Sequence, residues 1–155
     1  MNGIVSYEEQ KSIDEKFMRL ALNEARKALE AGEVPIGAVI VSCGAVVGRG
    51  HNMVETLCDA TAHAELQAVT AASSTLGGKY LNDCTLYVTV EPCVMCAGAL
   101  AWSQIGRVVY GAADPKRGYT SVAGSILHPK TEVAGGVLSD ECAGLVSGFF
   151  AELRR

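Results

Sequence analysis

The pattern of hydrophobic and polar positions predicts an alternation of helices and strands along the chain. Apolar residues recur at helical spacing, about every 3.6 residues, in the segments that begin and end the pattern. Between them lie short runs of β-branched and small residues of strand length. The predicted helices cover residues 13–31, 62–74, 92–104 and 140–155. The predicted strands cover residues 34–42, 45–50, 84–90, 107–111 and 132–136. This order predicts an α/β fold, a sheet with helices packed on it.

Local signals place the ends of these elements. Ser12 followed by Glu15 is a capping box and predicts the start of the first helix, which Gly32 ends. Cys43-Gly44 predicts a tight hairpin turn between two strands that both look buried. Ser139 is suited to cap the last helix. The segment 114–124 is turn-rich and polar, which does not predict a regular helix or strand.

Composition is that of one compact domain spanning residues 1–155. The chain is 49% hydrophobic and 19% charged, and it is long enough to bury a sizeable core. Residues 1–19 mix both charges and contain no apolar stretch typical of a signal peptide or membrane span, so we expect a cytoplasmic protein without a membrane partner. The net charge of −4 gives nucleic-acid binding no support, although phosphate contacts need only a local basic cluster.

Two of the six cysteines form a candidate metal site. Cys93 and Cys96 follow Pro92 at the start of a predicted helix, where positions three apart lie side by side. His63 can supply a third ligand, and this donor set suits zinc better than calcium or magnesium. Three protein ligands leave the fourth tetrahedral position open for water, which predicts a catalytic site. The other cysteines, Cys43, Cys58, Cys84 and Cys142, are interpreted as free buried thiols.

An acidic residue follows the candidate histidine ligand. Glu65 lies two positions after His63, and H-x-E followed by P-C-x-x-C is a signature of zinc nucleobase deaminases. Residues two apart on a helix point about 200° away from each other, so the site must lie at the helix start. Glu65 could then take a proton from water, deliver it to a ring nitrogen and protonate the departing amine.

Three other interpretations compete with an open catalytic site. A closed structural zinc site would need a fourth ligand, for which Cys58, His51 and His128 are candidates. The Cys-x-x-Cys spacing also occurs in redox pairs. A non-catalytic, zinc-dependent interaction module would use the same ligands.

Six segments match one known pattern almost from the first helix to the last. They are residues 33–39, 50–52, 61–65, 85–99, 107–112 and 137–142. Through them the chain closely resembles the bacterial tRNA-specific adenosine deaminases of the cytidine-deaminase-like superfamily. The resemblance implies a three-layer α/β/α fold around a mixed sheet of about five strands. It also implies one zinc ion per subunit, a homodimer, and conversion of the wobble adenosine of a tRNA anticodon stem-loop to inosine.

The resemblance also implies roles for individual residues. Asn52 matches a residue that contacts the flipped-out base, the backbone at Ala64 helps to hold that base, and Glu65 matches the proton shuttle. Asp114 matches a position that touches the neighbouring ribose. From the residues alone, Asn52 and Asp114 also suit side chains that only stabilise their own turns.

Two regions depart from the resemblance and keep a second substrate class open. Residues 114–136 look shorter than in well-known members, and a long basic extension does not follow Arg154-Arg155. Both regions contact the anticodon loop in the family. Lys116, Arg117 and Lys130 could still meet phosphates. The alternative is a deaminase of a free base or nucleoside of the guanine or cytosine type, which the acidic net charge mildly favours.

Overall fold

The computed structural model describes residues 4–155, and within them it contains five α-helices and five β-strands. The helices are α1 (Tyr7–Glu30), α2 (Val54–Leu57), α3 (Ala64–Leu76), α4 (Val94–Trp102) and α5 (Ser139–Leu153). The strands are β1 (Gly37–Ser42), β2 (Ala45–His51), β3 (Cys84–Val90), β4 (Arg107–Ala112) and β5 (Glu132–Ala134). A single 3₁₀ turn covers Tyr119–Ser121. In this part of the chain, every helix is too short or too polar to cross a bilayer.

The strands form one mixed sheet in the order β2-β1-β3-β4-β5. β1 runs antiparallel to β2 and β3, whereas β3, β4 and β5 run parallel. The predicted mixed sheet of about five strands is therefore confirmed. Because parallel strands end at the same edge of a sheet, the chain segments that follow β3 and β4 lie close together, and this edge is where open α/β sheets place ligands.

Side chains alternate between the two faces of the sheet, and each face is covered by helices. On β1, Ile40 packs in the core with α3 and α4, while Val39 packs in the core with α1 and α5. On β4, Val108 and Val109 divide in the same way. This period-2 alternation under two helical layers gives the predicted three-layer α/β/α arrangement.

A buried carboxylate connects α1 to the sheet. Asp14 accepts two hydrogen bonds from the guanidinium of Arg107, with N···O distances of 2.7 and 2.9 Å. Its Oδ1 also accepts from the hydroxyl of Tyr87 at 2.8 Å and from Gln10 at 2.9 Å. Burial opposes ionisation of Asp14, but these hydrogen bonds outweigh it and lower the pKa of the carboxyl.

The predicted start of the first helix is wrong. The helix begins at Tyr7, where the Ser6 side chain accepts from the backbone N–H of Glu9 at 3.1 Å and the Glu9 carboxylate accepts from the Ser6 N–H at 3.2 Å. Ser12 therefore lies inside α1. The first turn of the helix is exposed and polar, so hydrophobic spacing could not reveal it.

The last helix and the first hairpin also differ from expectation. Ser139 is the first residue of α5, and the cap is Leu138, in the left-handed region at φ 52° and without a side-chain hydrogen bond. β2 is an edge strand with Ala45 and Arg49 exposed, so only β1 of the hairpin is buried. The short elements α2 and 119–121 were not expected from the sequence.

The cysteines outside the candidate metal site divide into two pairs. Cys84 and Cys142 are buried free thiols, as expected. Cys43 and Cys58 are exposed, which corrects the expectation that all four are buried. Both exposed residues lie at positive φ, 50° and 51°, Cys43 in the hairpin turn and Cys58 at the end of α2.

Candidate active site

Two helix N-termini converge on the candidate site. His63 is the N-cap of α3 and Cys93 is the N-cap of α4, each with extended backbone geometry. Cys96 lies one turn into α4 and is fully buried. A helix N-terminus presents unpaired N–H groups and partial positive charge, which favours a thiolate. α4 thus begins after Cys93, and not at Pro92 as the sequence suggested.

The spacing of the three predicted ligands fits one tetrahedral zinc ion. His63 Nδ1 lies 3.6 Å from Cys93 Sγ and 3.5 Å from Cys96 Sγ. The three ligand atoms all lie within 4.8 Å of one another. A nitrogen and a sulfur bound to the same tetrahedral zinc are about 3.6 Å apart, given the usual bond lengths. The His63 nitrogen that faces both sulfurs is Nδ1.

The candidates for a fourth protein ligand are engaged elsewhere. Cys58 Sγ lies 3.8 Å from the carbonyl oxygen of Glu55. His51 Nδ1 lies 3.6 Å from the carboxylate of Glu24, and His128 Nδ1 accepts from the Lys130 N–H. Among residues 4–155, the only group of three or more ligand atoms of this kind is His63, Cys93 and Cys96. The geometry therefore favours the open three-ligand site.

Glu65 lies beside the ligands, in the first turn of α3. Its side chain is buried, with 4% of its surface exposed. Burial raises the pKa of Glu65 to about 7. A carboxyl group with a pKa near neutrality can both accept and donate a proton, as a general base and acid must.

The two thiols are electrostatically unequal. Hydrogen bonds from Cys96 and His63 lower the pKa of Cys93 to about 4, so Cys93 is a thiolate at neutral pH. The hydrogen bond to that thiolate, together with burial, raises the pKa of Cys96. A thiolate next to an imidazole is ready to bind a metal ion.

Three residues predicted to contact substrate lie at the start of the loops or helix around the ligands. Ala64 is fully buried as the first residue of α3. Asn52 donates from Nδ2 to the Val34 carbonyl at 3.2 Å and accepts the Val54 N–H at 3.2 Å. The Asp114 Oδ1 accepts two backbone N–H groups of its own turn, at 3.1 and 3.0 Å. Asn52 and Asp114 therefore do stabilise turns, and their contacts with substrate remain predictions.

Two further acidic residues next to the site had no role in the sequence interpretation. Glu33 and Glu91 are 1% and 5% exposed, and each carboxylate accepts three hydrogen bonds. Each lies in a short stretch with a valine and a proline, Glu33 in Glu-Val-Pro and Glu91 in Val-Glu-Pro. A charged residue inside such a stretch is the one local signal that could have indicated them.

Comparison with known proteins identifies the family. Residues 11–112 match the family described as the cytidine and deoxycytidylate deaminase zinc-binding region. The chain belongs to this zinc-binding deaminase family. Zinc is accordingly the cofactor that the cluster of one histidine and two cysteines is built to bind.

Three relatives of this deaminase bear on its substrate. The tRNA-specific adenosine deaminase of Bacillus subtilis is 47% identical over 147 residues, which cover 92% of this chain and 91% of the relative. A solved structure from a study of A-to-I editing by tRNA:A34 deaminases is 43% identical, with a TM-score of 0.77, covering 84% of this chain and 98% of that one. A structure of Bacillus subtilis guanine deaminase is 44% identical, with a TM-score of 0.61, but covers only 64% of each chain.

Proposed function

We propose that this deaminase hydrolyses adenosine to inosine at the wobble position of a tRNA anticodon loop. The observation that carries the proposal is the convergence of His63 Nδ1 and two thiol sulfurs beside the buried Glu65. The substrate class is supported by the similarity to tRNA-specific adenosine deaminases over about nine-tenths of both chains, 92% and 91%. The reaction consumes water and releases ammonia, so it needs no redox partner.

The residues divide the chemical work between holding a metal and moving protons. His63, Cys93 and Cys96 would hold the zinc ion. When bound, zinc supplies a Lewis acid that makes water nucleophilic near neutral pH. Glu65 accepts a proton from water and passes it to the ring nitrogen next to the reacting carbon. It then takes the second water proton from the hydroxyl now bonded to that carbon and delivers it to the leaving amine. Its burial raises the pKa of this carboxyl to about 7, which suits a group that both accepts and donates protons.

The loops around the ligands would hold the target nucleotide. Asn52 and the backbone at Ala64 are the proposed contacts with the base, and Asp114 is the proposed contact with the neighbouring ribose. The anticodon loop is single-stranded, so its bases can be splayed out at little cost in stacking energy. Lys116 and Arg117 are exposed in the turn of Asp114, where they are available to phosphates.

The unit that carries out this reaction is proposed to be a homodimer formed through α4. This helix contains no charged residue from Val94 to Trp102, yet Val94, Met95 and Trp102 are exposed, Trp102 by 85%. A Cβ on Gly98 would meet no atom within 4 Å, so a second helix could approach closely here. An uncharged apolar face does not suit RNA phosphates, whereas a second copy of the same face would cover it.

We place this homodimer in the cytoplasm and treat residues 1–155 as a single deaminase domain. A zinc site made of two thiolates persists in a reducing compartment, where tRNA also resides. One sheet runs through the described residues and is covered by helices on both faces, which supports a single cooperative unit.

A second candidate function is deamination of free guanine, favoured by the similarity to guanine deaminase and by the acidic net charge of −4. The deciding assay incubates the zinc-loaded protein with an anticodon stem-loop carrying adenosine at the wobble position, and separately with guanine, cytosine and cytidine. We expect inosine in the RNA. Release of ammonia from a free base, with adenosine in the RNA left intact, would overturn the proposal.

A further inference from the structure

Two buried glutamates beside the site, Glu33 and Glu91, make the same set of hydrogen bonds to two different loops. In each case one carboxylate oxygen accepts a backbone N–H. The other oxygen accepts both the backbone N–H and the side-chain hydroxyl of an exposed threonine. The two side chains are almost fully buried, at 1% and 5% exposed, and together they accept six hydrogen bonds. This arrangement indicates a role beyond neutralising a buried charge.

Glu33 binds the segment that follows Asn52. Its Oε1 accepts the Glu55 N–H at 2.9 Å, and its Oε2 accepts the Thr56 N–H and the Thr56 hydroxyl, both at 2.6 Å. Burial opposes ionisation, but these hydrogen bonds lower the pKa of Glu33 below its ordinary value. Glu33 therefore carries its charge at neutral pH and fixes the first turn of α2.

Glu91 binds the segment that contains Asp114. Its Oε1 accepts the Asp114 N–H at 3.2 Å, and its Oε2 accepts the Thr120 N–H at 3.1 Å and the Thr120 hydroxyl at 2.7 Å. Gly118 lies against this carboxylate so closely that a Cβ there would overlap Glu91 Oε2. The carboxylate thus holds both ends of the turn around residues 114–120.

Each loop also adjoins one element of the metal site. The 52–62 loop ends directly before His63, and its two ends meet where the Met53 N–H donates to the Ala62 carbonyl at 2.9 Å. The 113–121 loop pairs with the turn that carries Cys93, because the Tyr119 N–H donates to the Pro92 carbonyl at 2.9 Å. Both loops therefore border the candidate metal site, one next to His63 and the other next to Cys93.

We infer that Glu33 and Glu91 are positioning residues that fix the 52–62 and 113–121 loops as the two walls of the substrate opening. The inference rests on the proposed function, in which Asn52 and Asp114 contact the target nucleotide. It assigns the two glutamates to substrate binding, and not to holding zinc or transferring protons. Neither glutamate touches substrate, so each acts through its loop.

The two threonines allow a kinetic test that leaves the buried charges in place. Thr56→Val and Thr120→Val each remove one hydroxyl at an exposed position without changing the side-chain shape. Losing one charge-assisted hydrogen bond should raise KM for the adenosine stem-loop by about 5-fold or more in each variant, with kcat within about 2-fold and zinc content unchanged. The double variant should show the product of the two effects, because the loops are separate.

Matched variants separate this effect from a general loss of stability. Thr56→Ser and Thr120→Ser keep the hydroxyl and should restore KM to within about 2-fold of the original value. Thr75→Val makes the same chemical change at an exposed position near the end of α3 and should leave KM unchanged. An unchanged KM in both Val variants, or a parallel fall of kcat and zinc content, would overturn the inference.

Hydrogen exchange of the free protein tests the positioning without any substrate. Glu91→Gln places an amide N–H against N–H donors. It should therefore speed hydrogen exchange in the 113–121 loop and leave the 52–62 loop unaffected. Glu33→Gln should speed exchange in the 52–62 loop and leave the 113–121 loop unaffected. If the wild-type protein deaminates free guanine and not RNA, the proposed function fails, and the KM comparison is made with guanine. Exchange that rises across the whole chain, or in neither loop, would contradict the inference about the glutamates alone.

Discussion

At the scale of single residues, the surroundings of Glu65 define its chemistry most sharply. It is buried, its pKa is raised to about 7 by that burial, and it adjoins a proposed metal ligand without joining the ligand set. Replacing it with Gln keeps the size and removes the proton exchange. We expect Glu65→Gln to retain one zinc per chain and to lose turnover by about 100-fold to 10,000-fold, the range for a general acid-base group.

Two measurements on the same samples check this prediction, metal analysis and a single-turnover deamination assay. Glu30→Gln, at the exposed end of α1, is the matched control and should behave like the original protein. Near-normal turnover in Glu65→Gln would remove the assignment of Glu65 as the proton shuttle. Loss of zinc along with turnover would instead make Glu65 part of the metal site.

The ligand assignment is tested through cysteines in different surroundings. Cys96→Ser should lower zinc content to well below one per chain, because a hydroxyl binds zinc far more weakly than a thiolate. Cys43→Ser, at an exposed position in a turn, should keep full occupancy. Chelation should abolish deamination in the unmodified protein, and added zinc should restore it. Full occupancy in Cys96→Ser would show that the metal is held elsewhere.

At the scale of elements, the polar contacts of α1 predict how stability depends on pH. Hydrogen bonds lower the pKa of Asp14 below its ordinary value of 3.8 in the folded state. A depressed pKa stabilises the fold above the unfolded value, and this contribution is lost as pH falls through the folded value. The stability that Asp14 provides should therefore be complete at pH 7 and should decline below about pH 4.

Asp14→Asn measures this contribution directly. It leaves the Arg107 guanidinium without its carboxylate in a largely buried site, where breaking a pair costs about 3 kcal/mol or more. Urea unfolding should show that difference at pH 7 and a smaller one at pH 3. Asp140→Asn, exposed in the first turn of α5, is the control and should change stability by less than about 1 kcal/mol. A difference that is constant with pH would show that the charge of Asp14 is not what stabilises α1.

The contact between β2 and α3 connects the sheet to the active site. A Cβ on Gly50 would overlap the carbonyl oxygen of Ala64 and lie 2.7 Å from the Cβ of Gln67. Gly50→Ala should therefore displace the first turn of α3, with His63 and Glu65, from its position against β2. We expect zinc affinity and turnover to fall by about 10-fold or more, since metal sites depend on the orientation of their ligands.

The control for Gly50→Ala is Gly78→Ala, where an added Cβ meets no atom within 4 Å. It should leave zinc affinity and turnover unchanged. Both proteins are compared by competition with a zinc chelator and by the deamination assay. Full zinc affinity in Gly50→Ala would show that α3 can move without disturbing the ligands.

At the scale of the whole molecule, the chemistry was more predictable from sequence than the architecture around it. His63, Glu65, Cys93 and Cys96 lie in two short motifs whose internal spacing decides which groups can face one metal. Helix periods and β-branched runs likewise predicted a sheet with helices packed on it, whereas the three layers were implied by the family resemblance. These features depend on neighbours within a few residues, so a local pattern can carry them.

Features that depend on distant partners were not predictable in this way. The hydrogen bonds of Glu33 and Glu91 reach residues 22 to 29 positions away, so no short motif could reveal them. The start of α1 was missed for a different reason. Two Ser-x-x-Glu patterns compete, and the correct one precedes an exposed turn that buries no apolar residue. Burial decides between such alternatives, and burial is a property of the folded molecule.

The exposed face of α4 leads to the last prediction, which concerns the assembled molecule. Trp102 is 85% exposed on a helix without charges, and an indole in water at the end of such a face is costly unless a partner covers it. We expect light scattering to give twice the chain mass of 16.2 kDa at micromolar concentration. Trp102→Glu should place two like charges across a self-complementary interface and shift the mass to that of one chain.

Tyr7→Glu is the matched control, because Tyr7 is also an exposed aromatic residue, at 83%, but lies at the start of α1. It should remain at twice the chain mass. Zinc content should stay at one per chain in both variants, since Trp102 ends α4 two turns after Cys96 and lies outside the ligand set. A single-chain mass for the unmodified protein would reject the homodimer. A dimer that persists in Trp102→Glu would assign the interface to another face.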